Sequence, residues 1–150
     1  MTDIKLDNPI QQFIFFIVSD VSEEDIRKIE TLIKEISLSR KWVVGPPQFV
    51  NEIEEPENLE VDEPIRTLGG VLEIYSALPP NQLPHEIDQK HYEEVKAIIN
   101  KLIEFSKKID CEIECELDGV HVGTIDNGQA DNLITDGLLG EWEAGLKQNQ

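Results

Sequence analysis

Cysteine and positive charge are both scarce in this chain. The only cysteines, Cys111 and Cys115, are too few for a disulfide framework. Thirteen basic residues stand against 31 acidic ones, a net charge of −18. Such a field repels nucleic acid and anionic membranes and attracts cationic partners. The doublet Lys107-Lys108 falls at a predicted helix C-terminus, where the macrodipole accounts for it. Long apolar runs are missing too. The longest, Phe13 to Val18, is far short of the ~20 residues that a membrane helix needs. The opening MTDIKLDNPI has no basic stretch leading into an apolar one, so it does not read as a signal peptide. A soluble, cytoplasmic protein is expected.

The motifs of several chemistries are also absent. No Gly-x-Ser-x-Gly occurs, and Gly123-Thr-Ile-Asp-Asn-Gly128 lacks the lysine of a phosphate-binding loop. Gly69-Gly70 reads as a bulge or close approach rather than a ligand cradle. His85 and His91 are six apart, about 240° around a helix, so they share no metal. They read as polar, solvent-facing residues near a helix start. Asp88 and His91 match only half of a di-iron pattern. No cofactor and no metal are expected.

What is present is a periodic, foldable sequence. With 150 residues and 39% hydrophobic content, one domain of residues 13–147 is expected behind a flexible arm of residues 1–12. FIFFIV (Phe13–Val18) predicts a strand buried on both faces. Ser22-Glu-Glu-Asp25 resembles a capping box, and Ile26, Ile29, Ile33 and Ile36 predict a helix to about Leu38. An extended segment from Trp42 is broken by Gly45-Pro46-Pro47 and resumes at Gln48–Ile53, with the prolines arguing for an edge. An acidic loop follows over 52–66. Residues 67–78 alternate as a strand, and Pro84 opens the longest helix, which runs to about Lys108. Asp131–Leu146 reads as a weak or interrupted helix, because Gly137, Gly140 and Gly145 fall within it. The order β-α-β-β-α-β, with an added hairpin strand and a C-terminal helix, predicts an α+β fold with a ferredoxin-like antiparallel sheet.

The stretch CEIECELDG (residues 111–119) carries the most information. Cys111, Ile113, Cys115 and Leu117 alternate with Glu112, Glu114 and Glu116, the pattern of a half-buried strand. On a strand the two thiols lie roughly 13 Å apart, too far to share a zinc ion, and they read as small buried hydrophobes. Asp118-Gly119 predicts a two-residue hairpin, with Glu116 opposite His121 and Cys115 opposite Val122. Asp110, Glu112, Glu114, Glu116 and Asp118 then form a row spaced about 6.6–7 Å. Like charges so aligned repel. The row therefore reads either as a steering surface or as a charged edge strand protected against pairing.

Two functional readings follow. The first is a non-catalytic interaction protein for a basic protein partner. Glu112, Glu114, Glu116 and Asp118 would be its contacts, helped by Glu54, Glu55 and Glu57 of the acidic loop. In size, acidity and lack of catalytic residues the chain resembles, in type only, the immunity proteins that bacteria pair with nuclease toxins. Such toxins bind phosphate backbones and tend to be basic. The resemblance implies an inhibitor of a toxin and transfers no site residues. The second reading is a small-ligand or enzymatic domain with a site near Glu116 and His121, lined by Glu73, Tyr75, His121 and Trp142.

Overall fold

The computed structural model describes residues 8–18, 21–54, 65–76 and 83–148 of the chain. The class is α+β, as expected. Six strands form one antiparallel sheet: β1 (Ile10–Ile17), β2 (Gln48–Glu54), β3 (Ile65–Tyr75), β4 (Glu112–Leu117), β5 (Val120–Asp126) and β6 (Gln129–Ala130). Their order across the sheet is β2-β3-β1-β4-β5-β6. Three helices complete the fold: α1 (Glu23–Leu38), α2 (His85–Ile109) and α3 (Glu141–Gln148), the last continuing a π-helical segment (Leu133–Gly140).

Strand β1 begins at Ile10, so the last residues of the predicted arm are already hydrogen-bonded to β3, beginning with Ile10 opposite Tyr75. Its odd-numbered side chains are the centre of the core: Phe13 is 0% exposed and Phe15 2%. The ladders put Leu72, Cys115 and Ile113 on that same face, opposite Phe13, Phe15 and Ile17 respectively. Gly70 leaves room for the Phe15 ring, which would lie 2.5 Å from an added Cβ.

Helix α1 starts as its sequence predicts. The Ser22 hydroxyl accepts from the Asp25 N–H at 3.1 Å, and the Asp25 carboxylate accepts from the Ser22 N–H in return. Ile26, Ile29, Ile33 and Ile36 are buried against the Phe13/Phe15 face. Helix α2 buries Val95, Ile98, Ile99, Leu102 and Phe105 in the same core. It ends at Asp110, which takes the left-handed conformation (φ 51°). Ile134 of the π-helical segment also joins this core, so all the described helices share one face of the sheet.

Several boundaries differ from expectation. Trp42–Val44 is not a strand; only Gln48 onward pairs, as an edge strand against β3. The predicted acidic loop over 52–66 is paired backbone at its ends, since Glu52–Glu54 lie on β2 and residues 65 and 66 on β3. Its acids Glu55 and Glu57 lie outside the described residues. The hairpin turn forms at Asp118-Gly119 with both residues at positive φ (53° and 84°). Beyond it, however, a bulge shifts the register. Glu116 faces His121 as predicted, whereas Cys115 faces Gly123 rather than Val122. A second hairpin at Asn127-Gly128 (φ 47° and 82°) adds β6, a two-residue strand that the order expected from the sequence does not contain.

Gly123 follows the bulge at φ 145°, and a Cβ there would come within 2.2 Å of Ile134 and 2.7 Å of the Asp131 carboxylate. Gly145 in α3 has nothing within 4 Å of its would-be Cβ. Gly123→Ala is therefore expected to destabilise by about 2 kcal/mol or more. Gly145→Ala should stabilise by about 0.5–1 kcal/mol. Urea unfolding midpoints of the two variants check both signs.

Candidate functional site

The glutamate row is shorter and less wet than its spacing implied. Asp110 belongs to the cap of α2, and Asp118 sits in the turn, donating its N–H to the Gln12 carbonyl at 2.8 Å. Glu112, Glu114 and Glu116 remain on β4, each half-buried. Strand β4 is internal, paired to β1 on one side and β5 on the other. Protection of a sheet edge therefore does not explain its charges.

The neighbours of the row do bear on its use. Glu116 pairs with Ile14 of β1, and Glu114 pairs with Phe16. On the other side of β1, Ile14 faces Val71 and Phe16 faces Gly69, which in turn faces Val50. These even-numbered β1 residues point away from the helices. Phe13–Val18 was expected to be buried on both faces; instead Ile14, Phe16, Val50 and Val71 are only half-buried. Among the described residues no helix or strand lies over them. Ile10 and Val18, at the two ends of the strip, are 42% and 44% exposed. The open face of the sheet is thus an apolar strip bordered by carboxylates. Among the described residues Glu114 and Glu116 take part in no ion pair.

On the helix side, one end of the sheet holds a pocket of about 530 Å³. Tyr75, His121 and Trp142 line it, as one sequence reading grouped them. Glu73 does not; it is exposed on β3. Glu116 is also outside the lining, although His121 lies opposite it in the ladder. Asp88, Glu141 and Gln11 supply the remaining polar groups, over a floor that includes Ile74, Leu117 and Leu138. The C-terminal helix is fastened across α2 to form this pocket. Trp142 donates its indole N–H to Asp88 Oδ1 at 2.8 Å, and the Tyr92 hydroxyl donates to Glu143 at 3.1 Å. The Tyr92 and Trp142 rings meet edge-on at 5.8 Å.

Behind the pocket lies a buried polar network that sequence spacing did not reveal. His91, expected in water, is 0% exposed, and Glu94 is 3% exposed. His91 Nε2 accepts the Tyr75 backbone N–H at 3.1 Å, so Nδ1 carries the proton and donates to Glu94 Oε1 at 2.8 Å. Glu94 Oε2 accepts the Val43 N–H at 2.8 Å. The i, i+3 spacing of His91 and Glu94 allows the pair. Only the tertiary partners from β3 and the 42–44 segment make it a buried one. Among the described residues no group of three or more His, Cys, Asp or Glu comes together to hold a metal ion. No helix there is long and apolar enough to cross a membrane.

Both cysteines are buried and unpaired. Burial, and then the nearby Asp25, Asp110 and Asp126 carboxylates, push the Cys111 thiol up to about 11. Burial, with Asp131 and Glu114 adding, pushes Cys115 up to about 12. Neither thiol is a nucleophile at neutral pH. No family model, curated protein or solved structure matches the chain.

Two outcomes follow from these environments. Glu94→Ala leaves the His91 N–H and the Val43 N–H without acceptors and should cost about 3 kcal/mol. Glu94→Gln keeps one carbonyl oxygen and should cost less, as chemical unfolding of the two variants will show. The folded thiols hold their protons where unfolded thiols, near 9.0, lose theirs. Their contribution to stability is thus full below pH 9 and is lost as pH climbs toward 11 and 12. Unfolding midpoints measured from pH 8 upward should fall less steeply in Cys115→Ala than in the parent.

Proposed function

We propose that this chain is a non-catalytic acidic interaction protein that binds and neutralises a basic protein partner through the open face of its sheet. One observation carries the reading: apolar Ile14 and Phe16, uncovered by any described element, have Glu116 and Glu114 as direct cross-strand neighbours. An open antiparallel face is ordinarily polar. An apolar strip edged with like charge suits an amphipathic, cationic surface, which buries the strip and neutralises the row. The net charge of −18 adds long-range attraction for such a partner.

An inhibitor of the immunity type, set against a bacterial toxin, is the specific form of this proposal. A nuclease toxin's phosphate-binding surface offers the required positive charge. Two unpaired thiols accord with a reducing, cytoplasmic setting. The order β2-β3-β1-β4 over the first four strands supports a ferredoxin-like core, with β5 and β6 added outside β4. The pocket holding Tyr75, His121 and Trp142 favours small-ligand binding as a second activity.

Capture from the native host, followed by kinetics on the purified partner, tests the proposal. The captured protein should be basic. Converting Glu112, Glu114 and Glu116 to lysine should slow association at least tenfold at low salt and flatten its salt dependence. Phe16→Asp should chiefly speed dissociation. Unchanged association at low salt in the triple variant would overturn the reading.

A further inference from the structure

We propose that the pocket between the sheet and the C-terminal helix binds an organic cation: an ammonium or guanidinium group carried on an apolar body. This inference rests on the pocket alone and is independent of the open-face reading. At about 530 Å³ the cavity falls within the roughly 300–1,000 Å³ of small-molecule sites. Its walls combine an apolar floor, Trp142, and a few converging polar groups, the make-up of such a site.

The sign of the ligand's charge follows from the lining. Asp88 and Glu141 both line the cavity, and among the described residues no lysine or arginine does. An anion would meet two acidic residues and, among the described residues, no lysine or arginine. Asp88 spends Oδ1 on the Trp142 indole N–H, which fixes its carboxylate at the wall, and among the described residues Oδ2 has no hydrogen-bond partner. The same bond holds Trp142 beside Asp88, so an aromatic surface and a negative group share one wall. That pairing suits a cation on an apolar stem.

A small residue also sits on the cavity wall. Gly137 lines it from the π-helical segment, and an added Cβ there would meet only the Asn132 carbonyl, at 3.9 Å. The backbone therefore accepts a larger side chain at this position on the wall, where added volume would compete with a ligand. Helical segments with π geometry are rare and recur at functional sites. Here the segment presents Leu133, Gly137 and Leu138 to the cavity.

Three probes of similar shape test the proposal: phenethylamine as the cation, 2-phenylethanol as the neutral form and 3-phenylpropionate as the anion. Calorimetry on the intact chain is paired with fluorescence in Trp42→Phe, in which Trp142 is the one remaining tryptophan. Phenethylamine should bind saturably and change Trp142 emission. The alcohol should bind at least about tenfold more weakly, and the anion not at all. Asp88→Asn, which keeps an oxygen for the indole, should weaken phenethylamine about tenfold. Gly137→Leu, verified as folded by circular dichroism, should abolish binding. Equal binding of all three probes, no saturable binding of phenethylamine, or unaltered binding in folded Gly137→Leu would each overturn the assignment. None of these outcomes bears on the open face, which the probes do not report.

Discussion

Strand β1 runs through the middle of the sheet, hydrogen-bonded to β3 on one side and β4 on the other. The alternation of its side chains divides the molecule. Phe13, Phe15 and Ile17 face the helices and are buried. Ile14 and Phe16 face the other way, where no described element covers them. The rest of the structure depends on this division. Because the antiparallel register sets Glu114 and Glu116 opposite Phe16 and Ile14, the charges of β4 are held on the open face. A slip of one residue would turn the glutamates inward and expose Cys115 and Ile113. Burying unpaired carboxylates is costly enough to make the observed register strongly preferred.

Polar contacts fasten the C-terminal segment over the apolar core of the helix-bearing face. The C-terminal helix reaches α2 through the Trp142–Asp88 and Tyr92–Glu143 hydrogen bonds. Its π-helical start is held at β5 by Asp131, whose carboxylate accepts from the Thr124 and Ile134 N–H groups. Gly123 makes that close crossing possible, since any side chain there would run into Ile134. The pocket is what remains where the C-terminal helix spans from β5 to α2 without filling the corner. Asp88, Glu141 and Trp142 wall it from the helices, while His121, the cross-strand partner of Glu116, brings its rim close to the end of the glutamate row.

Local signals in the sequence were reliable where a single residue type does one physical job. The Ser22–Asp25 capping box, the Asp118-Gly119 turn and the α2 terminus ahead of Cys111 all formed as read, because each depends on contacts within a few residues. The alternation of Glu112–Leu117 survived as far as Cys115, while Leu117 is only half-buried. FIFFIV was less legible. An unbroken apolar run has no period, so it does not say whether one face or both will be covered. His91 was misread because helix position says little about what packs against it; β3 arrives from 16 residues upstream to bury it. The bulge at Val122 was hidden for a similar reason. It answers the crossing of a segment that begins only at Asp131.

By itself the sequence determined the α+β class, the negative field, the hairpin and the pairing of glutamates with buried thiols along one strand. Each of these is written in composition or in short periodicities, and near neighbours enforce them. Tertiary structure alone decided that β4 is internal, that no described element covers the even face of β1, and that Tyr75, Asp88, His121 and Trp142 share one cavity. Those four residues come from different elements far apart in the chain. Their meeting is set by how helices settle on a sheet, an energy summed over the whole core, and no short window of sequence contains that sum.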